Sequence, residues 1–596
     1  MHPNVKTYMH KKPILRTVLF VIYMIQSSIT VAQNTYYVDV NVANDYGDGS
    51  INSPKKHVQS AIDLMSTTGG DTVIIQPGIY ANTNDAIIDP PSGTASSYNI
   101  IKAAIDGTVI ISGIRDHPIN SYYTNNNLYF SSSAYVQIEG LHFKGKGIKG
   151  GDGAYIKFFR TSFDDGPNGN EYVFSSGGSY ILLEDCFFYG PGGRQALAFY
   201  EADHIIVRRA VIRHDHGWHS VDGKEEPTGV ATIYNSNFVE FQNVILLDSY
   251  EDPLSVGSNF WAGGVSFASN GPSNTENTIR GLISINVQGT THNFGGYGNI
   301  GPVSIYDEAV YADPSLPYSG YALVVMNNGG GNLKTATIDK ATIVNYNTMV
   351  SLFGGPNFET TITNSIGQAI TQVPFVINDG NNVLGSYNNC NGCEHTGSTS
   401  YDAAQNGLLY LPRIETGSIL ATAGENGSQM GATIVNRIGV SGTLYGETGY
   451  NIETNQPLWP YPYEARIKKE MCEDMGETRG FCAAGNGLNG NPITLTSYIW
   501  EVLGNPCPSN IYGTLSVDEE KLSTTVLLIP NPTSDIFVVE TSEHVLDKVV
   551  IYNTFGQQVL EATLNKVNVS GLPSGSYFVK LLMKNGTVFY KKLLKD

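Results

Sequence analysis

Val136-Gln-Ile-Glu-Gly-Leu-His-Phe143 decides the fold, because other stretches of the chain lie over it in register. They are Ile181-Leu-Leu-Glu-Asp-Cys-Phe-Phe188, Ile205-Ile-Val-Arg-Arg-Ala-Val-Ile212, Val239-Glu-Phe-Gln-Asn-Val-Ile-Leu246, Ile279-Arg-Gly-Leu-Ile-Ser-Ile285 and Ile338-Asp-Lys-Ala-Thr-Ile343. In each, apolar residues alternate, a polar pair interrupts, and the alternation resumes. A period of two is that of strands with one buried face. Leu141, Cys186, Ala210, Val244, Leu282 and Ala341 then form one small, apolar column. The residues just before them, Gly140, Asp185, Arg209, Asn243, Gly281 and Lys340, form a polar or glycine column. Strands of fixed internal pattern and inconstant spacing cannot each bury a face alone, so they must stack coil upon coil around a shared interior. No copy is joined directly to the next by a tight Asn-Gly or Asp-Gly hairpin turn, which argues against an antiparallel sandwich.

A second strand set falls between the copies: Gln195–Tyr200, Gly229–Ser236, Gly263–Asn270 and Gly320–Asn328. Each coil therefore has several strands joined by bends. Over about residues 35–508 this pattern resembles the right-handed parallel β-helix superfamily that includes the pectate-lyase-like polysaccharide lyases and glycosidases. The expected fold is all-β: a right-handed parallel β-helix with an N-terminal amphipathic helix cap, followed by a small C-terminal β-sandwich.

Working outward, Ser53–Met65 carries Val58, Ala61, Ile62 and Met65 on one helical face, with Pro54 just after a Ser cap. Lying across the open end of the stack, such a helix hides its apolar interior from water. Residues 34–455 read as the β-helix, with looser coils after 381. Residues 456–508, rich in aromatics and holding three cysteines, read as a cap for the second open end, with Trp459, Tyr461 and Tyr463 as core or as a sugar platform. Residues 509–523 are polar and aperiodic, a linker. Residues 524–596 alternate strands with turn elements such as Pro530-Asn-Pro532, a Gly575-Ser-Tyr577 step and a Lys591-Lys-Leu-Leu-Lys595 end. This segment resembles the C-terminal sorting domain of the type IX secretion system of Bacteroidetes. The resemblance implies the secretion machinery as a partner and export through periplasm and outer membrane to the surface or medium.

At the other terminus, Lys6, Lys11, Lys12 and Arg16 precede a short apolar run, Val18–Ile25, and small residues before Gln33. That is a secretory signal peptide over 1–33, too short in its apolar part for a membrane anchor. The cysteines suit an exported chain: Cys390 with Cys393, and the set Cys472, Cys482 and Cys507, can form disulfides, while Cys186 reads as a buried thiol. Cys390, Cys393 and His395 are too few ligands for zinc.

A net charge of −19 with only 15% charged residues disfavours nucleic acid and anionic membrane as partners. An acidic extracellular polysaccharide remains compatible if a local basic cluster or a divalent cation attracts it. Such a cluster exists: Arg213, His214, Asp215, His216, His219, Asp222, Lys224, Glu225 and Glu226 follow one strand directly. Register puts Lys144, Tyr189, Arg213 and Leu247 in one layer, so the loops after them share one wall. β-Elimination from a uronate needs a base for the proton α to the carboxylate and cations for the developing enolate. Arg213, His214, His216 and Lys224 are the candidate catalytic residues, and Lys157, Arg160, Arg194 and Trp218 the candidate substrate contacts. Asp215, Asp248, Glu251 and Asp252 are a candidate Ca²⁺ site. The same carboxylates admit hydrolysis by a pair of acids, and a third reading is a non-catalytic polysaccharide-binding adhesin.

Overall fold

The computed structural model describes residues 33–116, 125–145, 148–164, 172–190, 195–214, 229–249, 263–271, 275–287, 289–315, 322–326, 332–377, 381–488, 490–504, 507–511, 526–541, 545–553, 558–584 and 588–595. From Thr35 to Ser386 they wind a right-handed parallel β-helix with three faces. The first two faces belong to one sheet of 22 strands and the third to a sheet of 11, counted among the described residues. First-face strands include Ala134–Glu139, Ala154–Phe159, Ser179–Glu184, Asp203–Arg208 and Asn237–Gln242, each paired in parallel with the next. The second face stacks Leu141–Lys144, Ser162–Asp164, Phe187–Tyr189, Val211–Ile212, Ile245–Leu247 and Ile283–Ile285. On the third face, Gln195–Tyr200, Gly229–Tyr234 and Val265–Ala268 are successive rungs.

The polar column of the sequence is the corner between the first and second faces. Gly140, Arg160, Asp185, Arg209, Asn243, Gly281, Asp307, Lys340 and Asn364 all have φ between 49° and 68°, the left-handed region. One residue there turns the strand direction, and the next residue points inward. Leu141, Cys186, Ala210, Val244, Leu282 and Ala341 are accordingly buried. Left-handed backbone costs about 1–2 kcal/mol for a residue with a Cβ, so glycine, Asn and Asp recur. In one coil Glu308 takes the inward place opposite Ala341 and meets His292 Nε2 at 2.6 Å, both fully buried.

The alternation expected of every strand holds on the first face in Ala134–Glu139 and Ala154–Phe159, gives way to four consecutive buried residues in Ser179–Glu184, Asp203–Arg208 and Asn237–Gln242, and fails on the second face over the same rungs. Phe187–Tyr189, Ile245–Leu247 and Ile283–Ile285 are buried at every position. Strands apolar on both sides need cover on both sides, and the chain supplies it. Residues 402–455, expected as looser coils, run back down the stack instead: the Gly431 N–H bonds the Asn364 carbonyl, Ile438 the Asn243 side chain, and Arg208 the carbonyls of Val440 and Tyr450. Residues 456–511 continue this path. Trp459, Tyr461, Ile467, Met471, Phe481, Leu495, Ile499 and Trp500 pack on Phe187, Val211, Ile245, Leu247, Ile283 and Ile285. The segment expected to close the far end of the stack thus lies along its flank, where the outward side chains of the second face are apolar and need cover. Trp459, Tyr461 and Tyr463 belong to that packed layer.

At the N-terminal end the helix Val58–Ile62 buries Val58, Ala61 and Ile62 in the core that also holds Val38, Val73 and Ile75. Cys390 bonds Cys393 and Cys472 bonds Cys482, while Cys186 and Cys507 are buried thiols. Residues 526–595 form two antiparallel sheets of three and four strands around Phe537, Val549, Ile551, Val579, Leu581 and Leu593. No helix among the described residues is long and apolar enough to cross a membrane.

Candidate active site

Lys144, Asp164 and Tyr189 pair directly from rung to rung. The next rungs carry Arg213 and Leu247 in the same layer, since Ile212 pairs with Leu246 and the Arg213 N–H bonds the Phe188 carbonyl at 2.9 Å. One residue further, the His214 N–H donates to Ser249 Oγ at 2.9 Å, beside Asp248. His214 and Asp248 therefore share one wall. Of the residues expected at the site, Arg194, Asp215, His216, Trp218, Lys224, Glu251 and Asp252 lie outside the described residues.

The rest are placed, and several face protein. Arg213 is fully buried; its Nη2 donates to the Met471 carbonyl at 2.6 Å and its Nη1 lies 2.9 Å from Cys482 Sγ. His214 is fully buried as well. Asp248 accepts from the Phe481 N–H at 2.8 Å on Oδ2, and from Tyr498 Oη at 2.7 Å and Asn286 at 3.4 Å on Oδ1. Burial pushes its carboxyl up in spite of those donors and Arg213. Both oxygens are committed to the covering segment, so Asp248 does not fit a cation-ligand role. Any Ca²⁺ reading rests on Asp215, Glu251 and Asp252. Arg160 is held between Asp106 and Glu139 at 2.5 and 2.8 Å. Lys157 donates to the Gly442 carbonyl at 2.7 Å and sits over the Tyr98 ring, its ammonium pulled down by burial. Lys157, Arg213 and Asp248 are thus fasteners for the covering segment, at Gly442, Met471, Phe481 and Tyr498, while the Arg160 side chain is paired within the β-helix.

One cluster in the same layer escaped sequence reasoning. His142 and Lys144 point outward from one second-face strand and Asp164 from the next. His142 Nε2 is 2.9 Å from Asp164 Oδ2, and Lys144 Nζ is 3.6 Å from the same oxygen. Tyr189 Oη is 3.4 Å from His142 Nε2 and 3.4 Å from Glu470 Oε2. Asp164 and Tyr189 are buried, His142 is 5% exposed, and the Lys144 side chain is 43% exposed, so the network opens to solvent through the lysine. Asp164 Oδ1 is buried and has no hydrogen-bond partner. Burial, then Glu470 and Asp164, hold the Tyr189 phenol well above its ordinary value, so it stays protonated. Asp164 orients the imidazole through Nε2, and no described residue bonds Nδ1, which leaves that nitrogen to accept a proton. The signal available in sequence was His142 two residues before Lys144 on the outward parity of a strand whose next-but-one copy is Phe-Phe-Tyr. Among the described residues no three His, Cys, Asp or Glu side chains gather as a metal would require.

Residues 527–596 match the family described as secretion system C-terminal sorting domain. The chain carries a type IX sorting domain and is a secreted or cell-surface protein. No curated protein matches it. Among solved structures it is similar to pectate lyase Pel9A at 14% identity, covering 67% of this chain and 96% of that one with a TM-score of 0.41. It is similar to a rhamnogalacturonan lyase at 14% identity, covering 61% and 89% with a TM-score of 0.37. The catalytic unit of a GH87 alpha-1,3-glucanase from Streptomyces thermodiastaticus strain HF3-3 is 15% identical, with 58% and 66% covered and a TM-score of 0.37.

Proposed function

We propose that this chain is an exported polysaccharide lyase that cleaves an acidic extracellular glycan by β-elimination. The observation that carries the reading is the Lys144–Asp164–His142–Tyr189 network, which joins a solvent-reaching cation to an oriented proton acceptor. A uronate carboxylate would be met by Lys144, whose charge favours the enolate that develops when the α proton leaves. His142 takes that proton, the C–H electron pair becomes the new C=C bond, and the adjacent C–O bond to the departing sugar breaks. The imidazolium, steadied by Asp164, returns the proton to the departing oxygen. In the sequence, Arg194 follows Phe187–Tyr189, and His216, Trp218 and Lys224 follow Val211–Ile212; His216 and Lys224 are proposed as further catalytic groups and Arg194 and Trp218 as further substrate contacts.

The test is spectroscopic. A panel of plant and algal polyuronates incubated with the protein should yield products with ultraviolet absorbance from a conjugated double bond, and His142→Asn should abolish it. New reducing ends without that absorbance would indicate hydrolysis. Retention on the glycan with neither would indicate a binding protein.

A further inference from the structure

The network does not end on the β-helix. Glu470 comes from the covering segment, some 280 residues beyond Tyr189, in a turn that follows the short helix Glu464–Lys468. Its carboxylate is 3% exposed, with Oε1 receiving the Arg466 Nε–H at 2.6 Å and Oε2 facing Tyr189. Arg466 is fixed in turn: it donates to the Arg160 carbonyl at 2.6 Å and Ser162 Oγ at 2.9 Å, and its guanidinium lies 5.5 Å from the Phe187 ring centre. Gly107 leaves room for the pair, since a Cβ there would come within 2.8 Å of Arg466 Nε and 3.1 Å of Glu470 Oε1. Burial works to raise the Glu470 carboxyl, but Arg466 and then His142 more than offset it, so it remains charged.

Two carboxylates thus flank one imidazole: Asp164 in contact, and Glu470 through Tyr189. Among the described residues the cations tied to these carboxylates are Lys144, 3.6 Å from Asp164, and Arg466, bound to Glu470. We propose that Glu470 is a positioning residue for His142. It places a fixed negative charge one hydroxyl away from the ring and holds the Tyr189 hydroxyl beside Nε2, so that the covering segment completes a site whose other members lie on the second face. The inference rests on the proton-acceptor role proposed for His142, but its test does not require activity.

The full-length protein is labelled at histidine, and the His142 imidazole resonance is assigned by its loss in His142→Asn and titrated by NMR. In Glu470→Gln, which keeps the shape and removes the charge, the His142 midpoint should fall by about one pH unit, the usual scale for losing a nearby opposite charge. Tyr189→Phe, which interrupts the path and leaves both carboxylates, should lower it by less and broaden the resonance. An unchanged midpoint in a Glu470→Gln protein with wild-type circular dichroism would overturn the proposal. Should Glu470→Gln not fold, a Tyr189→Phe resonance identical to wild type would overturn it equally. Absence of elimination on every polyuronate would instead sink the lyase reading and leave this titration standing.

Discussion

His142 and Asp164 are the residues on which the proposed elimination turns, and each has a variant of nearly the same shape. His142→Asn and Asp164→Asn should each lower the elimination rate by about 10²–10⁴-fold, the range that general base catalysis supplies, with the unfolding midpoint little changed. Steady-state rates on the best polyuronate check this. Asp307 offers a prediction about stability. Burial, with Glu453 and Asp339 near, pushes its carboxyl up to about 6 from 3.8, against the pull of Lys340. A carboxyl raised on folding contributes stability below its unfolded value and loses it as pH climbs through its folded one. Asp307→Asn should therefore be the more stable protein at neutral pH, by on the order of 1–2 kcal/mol. That advantage should fade as pH falls from about 6 to 4, as urea unfolding would show. The charged residues were poorly legible in the sequence for a plain reason. Arg213 and Asp248 look like active-site groups until Met471, Phe481 and Tyr498, more than 230 residues later, are seen to hold them.

The corner and the covering segment are the elements that make the coil. Gly281, at φ 67°, is a corner residue whose added Cβ would come within 2.8 Å of the Asn243 side chain and 3.1 Å of Ile438. Gly281→Val combines left-handed strain with that clash and should cost about 2–3 kcal/mol, measurable as a lower denaturant midpoint. Trp500 is fully buried between Tyr410 and Trp459 in the covering layer. Trp500→Ala should cost about 3–5 kcal/mol, seen as a lower unfolding temperature. The corner column was legible, because nine coils repeat one backbone need and residue choice follows it. The cover was half legible. Aromatic density in 456–508 shows that the segment packs, but only the unbroken apolar run Phe187–Tyr189 hints at where, since a strand buried on both sides loses its period of two.

The whole chain is a wound coil with its own flank cover and a sorting domain. Removing residues 524–596 should leave the β-helix folded but retained in the periplasm, with surface or medium fractions depleted in a cell fractionation. Chelation should leave elimination intact, because Lys144 rather than a metal meets the carboxylate in this account, and a loss restored by Ca²⁺ would return weight to Asp215, Glu251 and Asp252. In the proposed reaction the second-face rungs assemble Lys144, Asp164, His142 and Tyr189 into a proton-transfer site. That assignment is tested most directly by following ultraviolet absorbance of polyuronates with the wild-type protein and His142→Asn side by side. A rising signal is expected from the first and none from the second; equal signals from both, or silence from the wild type across the panel, would overturn that assignment.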